Sequence, residues 1–145
     1  MNTLNSISLN SSDVRKSWSS VIDAVVREKP VFIQRTHDNI TMISTKMLQS
    51  FLEPVKFTVS FVTEDDGSFT ASLEELNLFQ NSNSKESCIN LLLKDMNEYA
   101  QDFYNEFNFW ASAPNRKKHI PYVLKILSTP DEKLLEAIKC QLGEN

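Results

Sequence analysis

The side chains best suited to covalent catalysis in this sequence are two cysteines and two histidines. A cysteine thiolate beside a histidine base is a common nucleophile. Cys88 or Cys140 paired with His119 would therefore make a small hydrolase. Both cysteines, however, lie inside helical patterns, away from any helix start that would lower a thiol pKa. We expect both to be buried reduced thiols. A hydrolase is therefore a weaker interpretation than a protein that acts by binding.

Other kinds of catalytic site lack the residues they need. The sequence has 2 glycines, too few for a phosphate-binding loop or a dinucleotide-binding fingerprint. His37 and His119 lie at no zinc-like spacing from each other or from a cysteine, and we expect both to be exposed. The acidic turn at residues 64–67 lacks the ligand spacing of a calcium loop. We therefore predict a non-enzymatic protein without a metal or a cofactor.

Two arginines indicate binding rather than catalysis. Arg15 follows a helix start and Arg35 ends a strand pattern, in a segment without any recognisable active-site motif. A single exposed arginine is usually a solvated surface residue, but a symmetric dimer would repeat each one and so contact several phosphates. Whether either arginine reads a base edge stays open at this point.

Composition and charge are those of a globular protein with an uneven charge distribution. The 145 residues are 41% hydrophobic and carry a net charge of −4. Residues 1–53 hold six basic and five acidic residues, giving +1, whereas residues 54–145 hold nine and fourteen, giving −5. An acidic half repels nucleic acid and attracts a basic partner. No apolar run reaches the roughly 18–20 residues of a membrane span. The N-terminus also lacks a signal-peptide pattern, so we expect a cytoplasmic protein that does not contact a membrane.

Hydrophobic spacing predicts the elements of residues 1–53. An amphipathic helix is expected to begin at Ser12, as its capping residue, and to end at Lys29 before Pro30. Its buried stripe is predicted to contain Val14, Trp18, Val21, Ile22, Val25 and Val26. The elements predicted after the helix are a strand at 31–35, a polar tip at 36–39, a strand at 40–43 and a short helix at 45–52.

A second part is predicted to begin at Pro54. Alternating residues around an Asp-Gly turn predict a β-hairpin over 56–73. A long helix is expected over 84–107 with Asn83 as its N-cap, and its aromatic tail, residues 107–110, is either core or a partner-binding surface. The other elements predicted here are a loop at 81–84, a helix at 120–127 and a closing helix that starts at Thr129.

Four motifs in residues 9–53 carry a resemblance to a known family. They are Ser12-Asp13-Val14-Arg15, Val21-Ile22-Asp23-Ala24-Val25, Pro30-Val31-Phe32-Ile33-Gln34-Arg35, and the second strand that runs into Thr45–Leu52. Together they resemble the Phd/YefM-type antitoxins of bacterial toxin–antitoxin pairs. The resemblance implies an α+β fold whose N-terminal unit has the order β-α-β-β-α. The sequence departs from the family pattern at Thr36-His37-Asp38-Asn39, which replaces a glycine-containing tip, and at Trp18, where a smaller aliphatic residue is commoner.

In that family the N-terminal unit forms an intertwined homodimer that binds the promoter of its own operon. The resemblance therefore implies a homodimer through residues 1–53 that binds operator DNA. Arg15 and Arg35 match the positions of operator-contacting arginines, and Lys16 and Asn10 would be their neighbours on the same surface.

Residues 54–145 resemble the HicB-type antitoxin domain more loosely. The likeness rests on the hairpin segment Asp66-Gly67-Ser68-Phe69-Thr70-Ala71 and the helix after it, while Leu73-Glu74-Glu75-Leu76-Asn77 replaces the usual Pro-Asp-Leu-Pro-Gly stretch. The two resemblances imply a type II antitoxin whose β-hairpin plus helical C-terminal domain binds a basic RelE/ParE-type toxin. The alternative is a stand-alone interaction adaptor, or an orphan transcriptional regulator without a toxin.

Overall fold

The protein has an α+β fold made of two compact units that divide between Ser50 and Phe51. The computed structural model describes residues 2–141, with the backbone alone for residues 139–141. The expectation of a buried thiol at Cys140 therefore falls outside the described side chains. Each unit contains one three-stranded sheet.

The first unit places short helices around a mixed sheet. Strand β1 runs parallel to β2, and β2 pairs antiparallel with β3, which gives the sheet order β1-β2-β3. A small core forms from Val14, Val21, Val25, Val31 and Ile33. The elements are α1 (Thr3–Ile7), β1 (Leu9–Asn10), α2 (Ser11–Lys16), α3 (Trp18–Arg27), β2 (Val31–Arg35), β3 (Asp38–Met42) and α4 (Thr45–Phe51).

The single long helix predicted for this unit is two helices that meet at Ser17. This residue has non-helical angles (φ −120°, ψ 38°), and its Oγ donates to the carbonyl oxygen of Asp13 at 2.7 Å. Such local bonds compete with helix continuation. Because α3 begins afresh at Trp18, that side chain does not continue the stripe from Val14 and is 53% exposed. The predicted burial of Trp18 is wrong, as is that of Val26, which is also exposed.

The second unit packs helices against an antiparallel sheet of order β4-β5-β6. The predicted hairpin is confirmed as β4 and β5, joined by a turn in which Gly67 has a φ of 84°. The elements are β4 (Val59–Thr63), β5 (Phe69–Leu73), β6 (Leu78–Ser82), α5 (Lys85–Asn105), α6 (Phe107–Ser112), α7 (Ile120–Ser128) and α8 (Asp131–Gln141), with 3-10 turns at Glu74–Leu76 and Lys117–His119.

Strand β6 occupies residues that the sequence places partly in a loop. Asn81 and Ser82 have weak strand propensity, and pairing with β5 overrides it. The Nδ2 of Asn81 donates to the hydroxyl oxygens of Ser68 and Thr70, at 3.1 and 3.0 Å. These bonds satisfy the side-chain amide within the sheet, so the predicted loop is wrong for these two residues.

Helix α5 organises the core of the second unit. It begins after Ser84, whose Oγ accepts from the backbone N–H of Ser87 at 3.1 Å, so the cap is one residue later than the predicted Asn83. The helix packs against β5 and β6 and against α7 and α8. The most deeply buried side chains of this core include Leu73, Leu76, Ile89, Leu92, Met96, Phe103, Val123, Ile126, Leu134 and Ile138.

Candidate nucleic-acid interface and partner surfaces

Asn10 ends β1 and caps α2. Its Oδ1 accepts from the backbone N–H and the Oγ of Ser12, at 2.9 and 2.6 Å. The predicted cap, Ser12, is therefore a donor to the true cap. An N-cap oxygen satisfies one of the free N–H groups in the first helical turn, so Asn10 has a structural role whether or not it also contacts DNA.

Substitution of Asn10 tests its capping role. We expect Asn10→Ala to lower the free energy of unfolding by about 1 kcal/mol, because the cap is lost. Asn10→Asp keeps a capping oxygen and favours the positive end of the helix dipole, so its stability should stay close to that of the wild type. Urea unfolding followed by circular dichroism measures both. Equal destabilisation by the two substitutions would show that the capping oxygen is not the source of the stability.

The two basic residues of α2 lie in its last turn rather than at the start of a long helix. Arg15 and Lys16 are both exposed. They directly precede the break at Ser17. Their position leaves both cations in solvent, where a phosphate group can reach them.

Arg35 ends β2 beside a tight turn. Its Nη2 lies 3.0 Å from Oδ2 of Asp38, and both side chains are about two-thirds exposed. The polar tip is a two-residue turn with Thr36 at a φ of 54°, and β3 starts at Asp38, two residues earlier than predicted. An exposed ion pair of this kind contributes little to stability, so Arg35 can exchange Asp38 for an external anion at small cost.

Two of the four predicted DNA-binding residues lie at the same end of the sheet. Asn10 pairs with Gln34 in the parallel ladder, so Asn10 and Arg35 both lie at the carboxyl ends of their strands. Helix α2 starts at this end of the sheet. Within residues 2–50 no hydrogen bond or ion pair joins Arg15 or Lys16 to Arg35, and each cation is presented separately.

An apolar cavity of about 520 Å³ opens on the first unit. Ile7 and Leu9 line it and are 53% and 43% exposed. Val21, Pro30 and Phe32 form other parts of its wall. Ile7 and Leu9 stand outside any periodic stripe of the sequence, and hydrophobic spacing therefore does not predict this surface.

In the second unit, His119 is buried at 5% exposure, contrary to the expected exposure. Its Nδ1 lies 2.6 Å from the hydroxyl oxygen of Tyr99. The Arg116 guanidinium also donates to that oxygen, at 3.1 Å, and lies over the rings of Tyr99 and Trp110. Burial, and then the positive charges of Arg116 and Lys118, lower the pKa of His119 from its ordinary value of 6.5.

This shift makes stability depend on pH. Because the folded state disfavours the charged imidazole, the contribution of the histidine is fully present above the unfolded pKa of about 6.5 and is lost as the pH falls from there through the lowered folded pKa. We expect the free energy of unfolding to fall between pH 7 and pH 5.5, and His119→Asn to reduce that fall. Urea unfolding at both pH values measures it, with His37→Asn as the control because His37 is exposed. An unchanged pH dependence in His119→Asn would contradict the assignment.

The cysteine–histidine pair of the hydrolase interpretation is not formed by Cys88. Its Sγ is buried and donates to the carbonyl oxygen of Phe69 at 3.2 Å, whereas His119 bonds to Tyr99. The expected burial of the Cys88 thiol is confirmed. Among the described residues no group of histidine, cysteine, aspartate and glutamate side chains could hold a metal ion.

The aromatic tail after α5 divides between the two roles left open for it. Phe107 and Trp110 pack against the core of the second unit, while Phe109 is exposed and meets Trp110 edge-on at 5.1 Å. Tyr104 is exposed as well.

In the described part of the chain, no helix has the length and apolar character to cross a bilayer.

Comparison with known proteins shows which family the chain resembles. The model of PHD-like antitoxins of RelE/RelB toxin–antitoxin systems matches residues 5–139. A crystal structure from Syntrophomonas wolfei subsp. wolfei, described as an antitoxin part of a proposed toxin/antitoxin system, has a TM-score of 0.85 and 32% identity. The alignment covers 90% of this chain and 95% of that chain. No curated protein matches the sequence.

The family model extends across both units, so the kinship is not confined to the N-terminal motifs. The resemblance to Phd/YefM-type antitoxins is confirmed, while the likeness of residues 54–145 to HicB stays a prediction. The protein belongs to the PHD-like antitoxins of RelE/RelB toxin–antitoxin systems.

Proposed function

We propose that this antitoxin neutralises a RelE/ParE-type toxin by direct binding and represses its own operon. Residues 54–145 bind the toxin and cover its active surface. Residues 1–53 form a homodimer that occupies operator DNA in the cytoplasm. The protein works by occupying surfaces and carries out no chemical step.

The observation that carries the proposal is the combination of two features in the first unit. Exposed cations stand at Arg15, Lys16 and Arg35, and a large apolar cavity opens on the same unit. Exposed apolar patches on soluble proteins commonly mark interaction sites. A second copy that covers the cavity would remove Ile7 and Leu9 from water and double the number of cations available to DNA. Symmetric dimers are the commonest oligomers, and they match operators with two half-sites.

The second unit suits a basic protein partner. The excess of acidic residues in 54–145, with a net charge of −5, favours association with a cation-rich surface. The exposed rings of Tyr104 and Phe109 offer the aromatic area that protein interfaces use. Both features support the assignment of toxin binding to this unit rather than to the first.

Co-expression with the adjacent reading frame tests the proposal. A small basic protein encoded there should arrest growth when expressed alone, and the antitoxin should restore growth and co-purify with it. A reporter fused to the operon promoter should fall in activity when the antitoxin is supplied. If no partner co-purifies but the reporter still falls, the orphan-regulator interpretation replaces the antitoxin mechanism. If neither occurs, the adaptor interpretation replaces it.

A further inference from the structure

Strand β6 has one edge without a partner, and the hydrogen-bond pattern shows which backbone groups lie on it. The N–H of Glu74 donates to the carbonyl oxygen of Thr58 at 3.1 Å, and the N–H of Glu64 donates to that of Ser68 at 2.8 Å. Bonded and non-bonded pairs alternate along an antiparallel ladder. On β5, Thr70 therefore bonds towards β4, and Ala71 bonds towards β6.

The same alternation fixes the orientation of β6. Ala71 faces Gln80 in the register, and Ser72 faces Phe79. The N–H and C=O groups of Gln80 thus bond to β5, and those of Phe79 and Asn81 point away from the sheet. No described strand or loop bonds to them, since the sheet ends at β6. We call the backbone groups of Phe79 and Asn81 the β6 edge.

Helix α5 carries an acidic row that starts next to β6 and continues along the helix. The row consists of Asp95, Glu98, Asp102 and Glu106, spaced by three or four residues and therefore on one flank of the helix. Asp95 accepts a hydrogen bond from the Nε2 of Gln80, which ties this flank to β6. The opposite flank is tied to α8, since the Nδ2 of Asn97 donates to Asp131 at 3.0 Å.

The charges of the acidic row are largely uncompensated. Glu98 has an exposed contact with Lys94 at 3.8 Å. Asp102 and Glu106 are exposed and have no cation within ion-pair distance among the described residues. The Nζ of Lys85 lies 5.3 and 5.8 Å from the ring centres of Phe61 on β4 and Phe69 on β5, so this cation is held over the face of the sheet. The uncompensated carboxylates of α5 favour a positively charged strand at β6.

We propose that the β6 edge and the acidic row bind an extended basic segment of the toxin as a fourth strand of the sheet. This inference rests on the proposed function and names the surface that performs it. Main-chain bonds to Phe79 and Asn81 supply affinity, and the acidic row selects lysine and arginine side chains. The Phe79 side chain is 59% exposed on the outer face of the sheet and provides an apolar contact next to the added strand.

Proline substitution on the edge tests the backbone bonds. The N–H of Phe79 points outwards, so Phe79→Pro removes a donor from the edge and leaves the β5–β6 bonds intact. Phe79→Ala removes the same ring and keeps the donor. With the partner protein that co-purifies with the wild type, we expect Phe79→Pro to bind about tenfold more weakly than Phe79→Ala. Thr63→Pro, whose N–H points outwards from β4, is the matched control and should bind like the wild type.

Charge substitutions on α5 test the role of the acidic row, and they apply even if Phe79→Pro impairs folding. Asp102→Asn with Glu106→Gln should weaken partner binding and flatten its dependence on salt. Glu132→Gln with Glu136→Gln removes the same charge from α8 and should not. Amide exchange on the wild type adds a direct measurement, since the N–H groups of Phe79 and Asn81 should be protected only in the complex.

The outcomes distinguish a failure of the proposed antitoxin function from a failure of the β6 edge as its binding surface. If the wild type binds no partner, the proposed function fails and this inference fails with it. If the wild type binds and the amides of Phe79 and Asn81 exchange equally fast with and without partner, the β6 edge is the wrong surface and the proposed function stands. Equal effects of the α5 and α8 charge pairs would likewise overturn the role of the acidic row.

Discussion

The double substitution Arg15→Ala and Arg35→Ala is expected to abolish the operator shift while toxin binding persists. In a dimer the change removes four cations from the DNA-facing surface. Loss of an arginine contact costs about 1–3 kcal/mol, so operator affinity should fall by about a thousandfold or more. The slope of log affinity against log salt should become shallower by about 3–4, because each phosphate contact releases close to one counterion. Gel shift and fluorescence anisotropy at several salt concentrations measure both quantities.

A control variant that loses the same number of charges distinguishes a direct DNA contact by Arg15 and Arg35 from an effect of net charge. Arg27→Ala with Lys46→Ala also removes two exposed cations from each copy. If position matters, this control should keep most of the operator affinity. A normal shift by the Arg15/Arg35 variant would refute the assignment of these arginines. Equal losses in the two variants would show that only net charge matters. Co-purification with the toxin confirms in each case that the second unit is folded.

Substitution of the cavity wall should have the second largest effect, on the oligomeric state. Ile7→Gln with Leu9→Gln makes two exposed apolar residues polar and leaves the core of the first unit untouched. Each side chain buried at a dimer interface contributes about 1–2 kcal/mol, and both copies change. The dimer dissociation constant should therefore rise by about 100-fold or more, measured by sedimentation equilibrium.

The control for the cavity is Val26→Gln. Val26 is also exposed but does not line the cavity, so its substitution should leave the dimer unchanged. If the Ile7/Leu9 variant sediments like the wild type at every concentration, the dimer uses another surface. Operator binding should weaken together with dimerisation, because one copy presents half of the cations.

Local patterns were enough to predict much of the fold. The Asp-Gly turn and the alternation around it give the β4–β5 hairpin, since glycine accepts the positive φ at Gly67 without strain. The apolar stripe of α5 is long enough to be unambiguous. Arg35 is at the strand end where the sequence places it, because Pro30 and the run of β-branched and aromatic residues fix the limits of β2.

The wrong predictions of burial arise from interactions that the spacing of hydrophobic residues does not encode. Trp18 lies in phase with Val14, but the non-helical angles of Ser17 break the helix between them, and the Trp18 ring is exposed. His119 follows a run of basic residues, which suggests solvent exposure, yet Tyr99 from a distant part of the chain buries it. Both outcomes depend on contacts made only after the chain has folded.

The two tryptophans give each unit its own optical signal. Trp18 stands in water next to Ser17, which lines the cavity, and so its emission is open to external quenchers. Trp110 lies against Phe103 with ring centres 6.5 Å apart and beside Arg116, and its emission reports tertiary packing of the second unit. The two units thereby have separate intrinsic fluorophores, and single-tryptophan variants can follow the proposed self-association of the first unit and the unfolding of the second without a label.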